Sequence, residues 1–190
     1  MEHITLILIA ATSIVLYIWY ARIISQKNKV KECLSGIDVQ LKKRSDLIPN
    51  ILKIASKFME HEKGLIEKVT ALRAQVDNSY DKNDTESVKS HLKNVGALDN
   101  NLSKLMLSVE AYPDLKSDQT MLRAQQTYNE VEEQIAASRR FYNSSVTELN
   151  NSIEIFPGNI LCFLAKAKIM PFYEAEEAAR EAVDANKFFN

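Results

Sequence analysis

The stretch ITLILIAATSIVLYIWYA, from Ile4 to Ala21, runs for eighteen residues without an Asp, Glu, Lys or Arg. As a helix it would measure about 27 Å, close to a bilayer hydrocarbon core of about 30 Å. Tyr17, Trp19 and Tyr20 gather at its C-terminal end, where amphipathic rings favour the headgroup level. A cleaved signal peptide would need a basic leader, a shorter apolar run and a small-residue cleavage site. Here Glu2 and His3 precede the run and Ala21-Arg22-Ile23 follows it. A buried core helix would be shorter or carry a polar stripe. Residues 1–21 therefore read as an uncleaved membrane anchor in contact with the lipid bilayer.

Orientation follows from charge. No Lys or Arg precedes the run, whereas Arg22, Lys27, Lys29 and Lys31 crowd its C-terminal flank. The positive-inside bias then puts the N-terminus outside and the body of the chain in the cytoplasm. The same lysines could also touch anionic lipid. Cys33 and Cys162 form no Cys-x-x-Cys pair and read as reduced thiols.

Beyond the anchor the chain has length for one domain with a real core. Its 24 basic and 25 acidic residues leave a net charge of −1, so no global field advertises a nucleic acid. Only four Gly and four Pro occur, which favours helix throughout, with the prolines and the polar cluster from Asp77 to Thr85 as punctuation. The first piece continues from the anchor to about Arg44, with Val30, Leu34, Ile37 and Leu41 at the spacing of a bundle seam. Asp46, Pro49 and Asn50 are expected to form a structural helix-turn motif. In it Ser45 or Asp46 caps the second helix and Pro49 sits in its first turn.

That second helix, about Leu47 to Val76, places Ile51, Ala55, Phe58, Leu65, Val69, Leu72 and Val76 on one stripe. Glu62 falls in the same seam, where it is either lifted to solvent or paired with a base. The third, about Thr85 to Glu110, carries Val88, Leu92, Val95, Leu98, Leu102, Leu105 and Val109. The fourth, about Ser117 to Phe156, carries Leu122, Tyr128, Ile135, Tyr142, Val146, Leu149, Ile153 and Phe156. Ser138 or Arg139 must fill the gap between Ile135 and Tyr142.

Arg139 and Arg140 could clamp a phosphate or carboxylate as a functional pair. Structurally, they would bind helix carboxylates such as Glu67, and a bundle seam that buries one paired charge favours this second role. The last segment, 157–190, begins apolar and ends in an acidic helix around Tyr173 to Ala182. Within it Ile160, Leu161, Phe163 and Leu164, followed by Lys166 and Lys168, either lie in the membrane interface or close the open end of the bundle.

The expected fold is therefore all-α. An N-terminal transmembrane helix (1–21) continues into an antiparallel up-and-down four-helix bundle (22–156), and a short C-terminal helical segment (157–190) follows. A first bundle helix ending at Arg44 would protrude about 35 Å and the fourth would return about 60 Å. That mismatch calls for a strong tilt of the bundle axis or a bend near Ser25 to Lys29. Catalytic chemistry has no visible carrier. His3, His61 and His91 lack metal-ligand spacing, no Gly-rich phosphate loop occurs, and no Ser or Cys has a His base nearby. No cofactor is expected.

Several motifs resemble, in order, those of the LemA family of bacterial membrane proteins. They are Lys43-Arg44-Ser45-Asp46-Leu47-Ile48-Pro49-Asn50, His61-Glu62-Lys63, Ala111-Tyr112-Pro113-Asp114-Leu115, Arg139-Arg140-Phe141-Tyr142-Asn143, Phe156-Pro157-x-Asn159 and Tyr173-Glu174-Ala175-Glu176-Glu177. The likeness covers nearly the whole chain. It implies a short anchor and an antiparallel four-helix bundle, and it does not imply an enzyme. It implies instead a scaffold or adaptor in the bacterial cytoplasmic (inner) membrane, with an unidentified membrane-associated partner such as proteolysis or stress machinery, and leaves room for a homo-oligomer. A magnetosome-associated branch of the family implies an alternative, a membrane-remodelling or organelle-associated protein in the magnetosome membrane. The chain departs from the family at Leu164-Ala165-Lys166-Ala167-Lys168, where a Phe-Gly-Phe-Lys-like stretch is usual.

Overall fold

A computed structural model describes residues 1–174, and every described element is helical. Helix α1 spans Glu2–Ala55, and α2 (Lys63–Val76) follows a 3-10 turn at Glu60–Glu62. Then come α3 (Thr85–Val109), the short α4 (Pro113–Lys116), α5 (Gln119–Glu154) and α6 (Gly158–Ala165). The expected acidic helix falls outside the described residues, except that Tyr173 and Glu174 are not helical.

The apolar stretch forms the first third of α1, and an 18-residue window of it is wholly unburied. This helix has the length and composition to cross a membrane. From Val30 onward the same helix turns a buried stripe inward. Val30, Leu34, Ile37, Leu41, Ile48, Ile51 and Ala55 join one apolar core with the predicted seams of α3 and α5. Helices α1 and α5 pack together and run antiparallel, since Arg44 meets Glu132 while Gly36 and Phe141 line one cleft further back. Helix α2 packs on α3, and α6 lies on both α1 and α5.

The expected break at Arg44 does not occur. Helix α1 continues without interruption through Ser45, Asp46, Pro49 and Asn50, so these residues form no helix-turn motif. Asp46 caps nothing; it pairs with Lys42 one turn back, on the exposed face at 2.9 Å. Proline inside a helix deprives the carbonyl four residues earlier of its donor. That carbonyl, of Ser45, is served from another helix: Arg73 Nε of α2 donates to Ser45 O at 2.8 Å and to Ser45 Oγ at 2.9 Å. Ser45 Oγ in turn donates to Asp77 Oδ2 at 2.8 Å. An interhelical donor thus replaces the missing backbone one.

Arg73→Met should therefore cost about 1 kcal/mol, the value of a typical hydrogen bond with its acceptor left partly buried. Pro49→Ala restores the missing N–H and should remove at least half of that cost. A double-mutant cycle by urea titration reads the coupling, and strictly additive costs would disprove it.

Continuity of α1 also removes the length conflict. From Arg22 to Ala55 it extends about 51 Å, against about 54 Å for α5, and it is helical through Ser25 to Lys29. Neither a bend there nor a tilt is needed to match the two. Near the helix ends the buried stripe departs from the expected one. Met59 and Met121 are buried where Phe58 and Leu122 were expected, and Phe156 is exposed. Helices α3 and α5 are capped by Asp84 and Asp118, which accept from the Ser87 N–H and from the Thr120 and Met121 N–H groups, as N-cap carboxylates do.

Candidate functional site

The seam of α1 repeats every three or four residues from Val30 to Ala55, and the position between Leu41 and Ile48 belongs to Arg44. Its side chain is fully buried. Arg44 Nη1 donates to Asp99 Oδ1 of α3 and, at 2.8 Å, to Glu132 Oε1 of α5. Arg139 Nη2 of α5 donates to the other oxygen of Asp99. The guanidinium of Arg139 also sits 4.3 Å from the ring centre of Tyr173. Two cations and two anions from three helices thus neutralise one another inside the core.

Burial opposes the charge on Arg44, but Asp99 and Glu132 outweigh it and hold the guanidinium more firmly protonated. For Asp99, burial raises the carboxyl pKa against the pull of Arg44 and Arg139. A buried charge cluster of this kind orients helices, although Arg44 Nε, Arg44 Nη2 and Arg139 Nε are buried without a hydrogen-bond partner among the described residues.

The predicted ion-pairing residues are therefore divided. Arg139 is paired, with Asp99 and not with Glu67. Arg140 and Glu67 lie exposed, and Glu62 is half-buried at the start of α2. Among the described residues Glu62, Glu67 and Arg140 join no ion pair. Sequence reasoning missed Arg44, Asp99 and Glu132. A signal existed for the first, because the heptad-like spacing runs through Arg44 without a change of phase.

After α6 the chain lies along α5 as an extended strap, gripped by side-chain amides. Asn150 Nδ2 donates to Met170 O at 3.0 Å and Asn150 Oδ1 accepts from Met170 N–H at 2.9 Å. Two turns earlier in α5, Asn143 makes the same pair of bonds with Tyr173, at 2.9 and 2.8 Å. The Tyr142 hydroxyl donates to Pro171 O at 2.7 Å. Each amide presents one donor and one acceptor, as a neighbouring β-strand would. The motif Arg139 to Asn143 is in this way the anchorage of the strap.

His91 is buried and stacks on Tyr80, with ring centres 3.9 Å apart. Its Nε2 lies 3.7 Å from Asp38 Oδ1, to which the Tyr80 hydroxyl donates, while Lys82 Nζ pairs with Asp38 Oδ2. Burial lowers the His91 pKa, Lys82 adds to the effect and Asp38 opposes it. The unfolded chain takes up a proton below about pH 6.5 while the folded one resists it, so stability is full above that pH and falls as pH drops through it. The urea midpoint should decline between about pH 7.5 and about pH 5.5. His91→Phe, which keeps the stack, should flatten that decline, and an unchanged slope would disprove the assignment.

At the end of α1 farthest from its apolar stretch, a cleft of ≈ 610 Å³ opens between α1 and the start of α5. Leu47, Ile54 and Phe58 line it beside Lys53, Lys57 and Arg123, and Asn50 contributes to its wall. Asp118, the acidic residue of the lining, has its carboxylate committed to capping α5. Among the described residues no group of three or more His, Cys, Asp or Glu side chains is placed to hold a metal ion.

A helix fit to cross a bilayer, running unbroken into a core that it helps to close, defines a class of small all-helical proteins suited to membrane attachment. Within that class the assignment is direct: the LemA family model matches residues 33–187, and the chain belongs to the LemA family. Protein LemA of Metamycoplasma hominis is 25% identical over 166 residues, covering 86% of this chain and 73% of that protein. Magnetosome proteins MamQ 1 and MamQ 2 of Paramagnetospirillum magneticum are each 29% identical over 94 residues, covering 50% of this chain and 35% of theirs.

Proposed function

We propose that this chain is a non-enzymatic, single-pass membrane protein whose antiparallel four-helix bundle acts as a scaffold or adaptor at the cytoplasmic face of a bacterial membrane. One observation carries the reading: the exposed apolar stretch and the first core helix are a single uninterrupted α1. A rigid connection of this kind sets the distance between bilayer and bundle. Taking Ala21 as the end of the span, Leu47 stands about 39 Å further along the helix, which holds the basic cleft well clear of the lipid. The basic flank from Arg22 to Lys31 supports an outside N-terminus. The resemblance to the MamQ proteins is confined to half of the chain and does not favour the organelle-associated alternative.

The cleft suits a partner segment that places an apolar side chain among acidic residues, since Lys53, Lys57 and Arg123 rim an apolar floor. A photo-crosslinker at Phe58 in the full chain, in its native membrane, should capture one protein through a peptide of that character. The same probe at Phe141, exposed elsewhere on α5, should not. Charge reversal at Lys53 and Lys57 should abolish the adduct. Equal capture at both positions, or capture insensitive to charge reversal, would overturn the cleft as the docking site. An extracytoplasmic C-terminal reporter would overturn the orientation.

A further inference from the structure

Helix α6 is held by one contact to α5 at its start and one to α1 at its end. At its start, Gly158 lies so close to α5 that a Cβ there would come within 1.7 Å of the Ser152 carbonyl oxygen. At its end, Lys27 Nζ of α1 donates to Ala165 O at 3.1 Å and to Lys166 O at 2.8 Å, satisfying carbonyls that a helix C-terminus leaves free. Lys166 itself takes the left-handed cap conformation, φ 45°. Lys27 stands six residues beyond Ala21, or about 9 Å along the helix. Helix α6 is thus held beside α1 just past the end of its apolar stretch.

Its two faces differ sharply. Gly158 and Ala165 are buried, whereas Ile160, Phe163 and Leu164, spaced three and four residues apart, are 59%, 81% and 71% exposed. Ile155 and Phe156, just before the helix, are exposed as well. Surface leucines scattered singly mean little, but a contiguous patch of large apolar side chains marks a contact. Lys166 and Lys168, both exposed, border it, and Arg22 borders the apolar stretch of α1. Apolar side chains beside basic ones are the pattern of a helix lying in a membrane interface.

We propose that α6 is a second membrane contact. Its Ile160–Phe163–Leu164 face rests in the headgroup region of the leaflet from which α1 emerges after Ala21, with Lys166 and Lys168 against anionic lipid. The position of α6 against α1, with its end bonded to Lys27 six residues past the apolar stretch, selects the bilayer as the occupant of this face over a second copy of the chain or a soluble partner. The inference rests on α1 being a span, and one fluorescence experiment separates the two. Trp19 is the sole tryptophan and lies within the apolar stretch, so it reports on α1. The variant Trp19→Phe/Phe163→Trp reports on α6.

Both full-length chains are placed in nanodiscs of phosphatidylcholine and phosphatidylglycerol whose acyl chains are brominated near the headgroup end. Trp19 should be quenched, and the tryptophan at 163 should lose about half its emission or more. Replacing phosphatidylglycerol with phosphatidylcholine should weaken the second effect about twofold, and Lys166→Gln/Lys168→Gln should remove that dependence. Quenching of Trp19 alone would overturn the α6 contact and leave the span standing. Quenching of neither would overturn the span and the inference with it. An unquenched probe at 163 that crosslinks to a second chain would assign the face to self-association and likewise end the proposal.

Discussion

Replacing Arg44 with methionine is expected to destabilise the fold by about 3–5 kcal/mol, the usual cost of stranding a buried charge by removing its partner. Asp99 is almost fully buried and Arg44 wholly so, so neither water nor a rotamer change can rescue the carboxylate. Arg139 reaches only its second oxygen. Domains of this size are stable by about 5–15 kcal/mol, so the variant gives up a large fraction of the total. The double variant Arg44→Met/Asp99→Leu should recover part of the loss, because it removes the stranded carboxylate and leaves Arg139 and Glu132, opposite in charge and partly exposed, at the edge of the cluster. Circular dichroism against urea, on the full chain in detergent, measures all three. A loss below about 1 kcal/mol for the single variant would show that the cluster is solvated and contributes no more than a surface pair.

The second large effect concerns the strap. Asn143→Ala/Asn150→Ala removes the partners of the N–H and C=O groups of Met170 and Tyr173. A buried backbone group left unpaired costs about 1–3 kcal/mol, and four are affected. The strap should therefore detach instead of remaining in place unsatisfied, with an apparent loss limited to about 2–4 kcal/mol. Amide exchange of residues 169 to 173 should rise by orders of magnitude while that of the α3 seam stays protected. Exchange lost uniformly across the chain would mean that the strap is part of the global cooperative unit.

The division between what could and could not be read beforehand follows the range of the interactions. The apolar stretch, the helical class, the seam of α3, the seam of α5 from Tyr128 to Ile153 and the family motifs were legible from the residues. Composition, a 3.6-residue period and a motif are local properties, and each is complete within a few turns of chain. The end of α1 was misread because proline is normally a helix boundary. Only the arrival of Arg73 from α2 makes Pro49 tolerable, and nothing near Pro49 in sequence announces it.

The pairing of Arg139 was open for a similar reason. Glu67 and Asp99 are equally acidic on paper, and the packing of α3 against α1 and α5 decides that Asp99 is the one in reach. Asn143 and Asn150 carried no sign of their role, since a side-chain amide shows what it holds only when the strap is laid beside it. The sequence by itself determined which faces are apolar and where the chain can meet a bilayer. The tertiary structure alone decided which buried polar group answers which, because that requires partners separated by 20 to 138 residues to meet within hydrogen-bond distance.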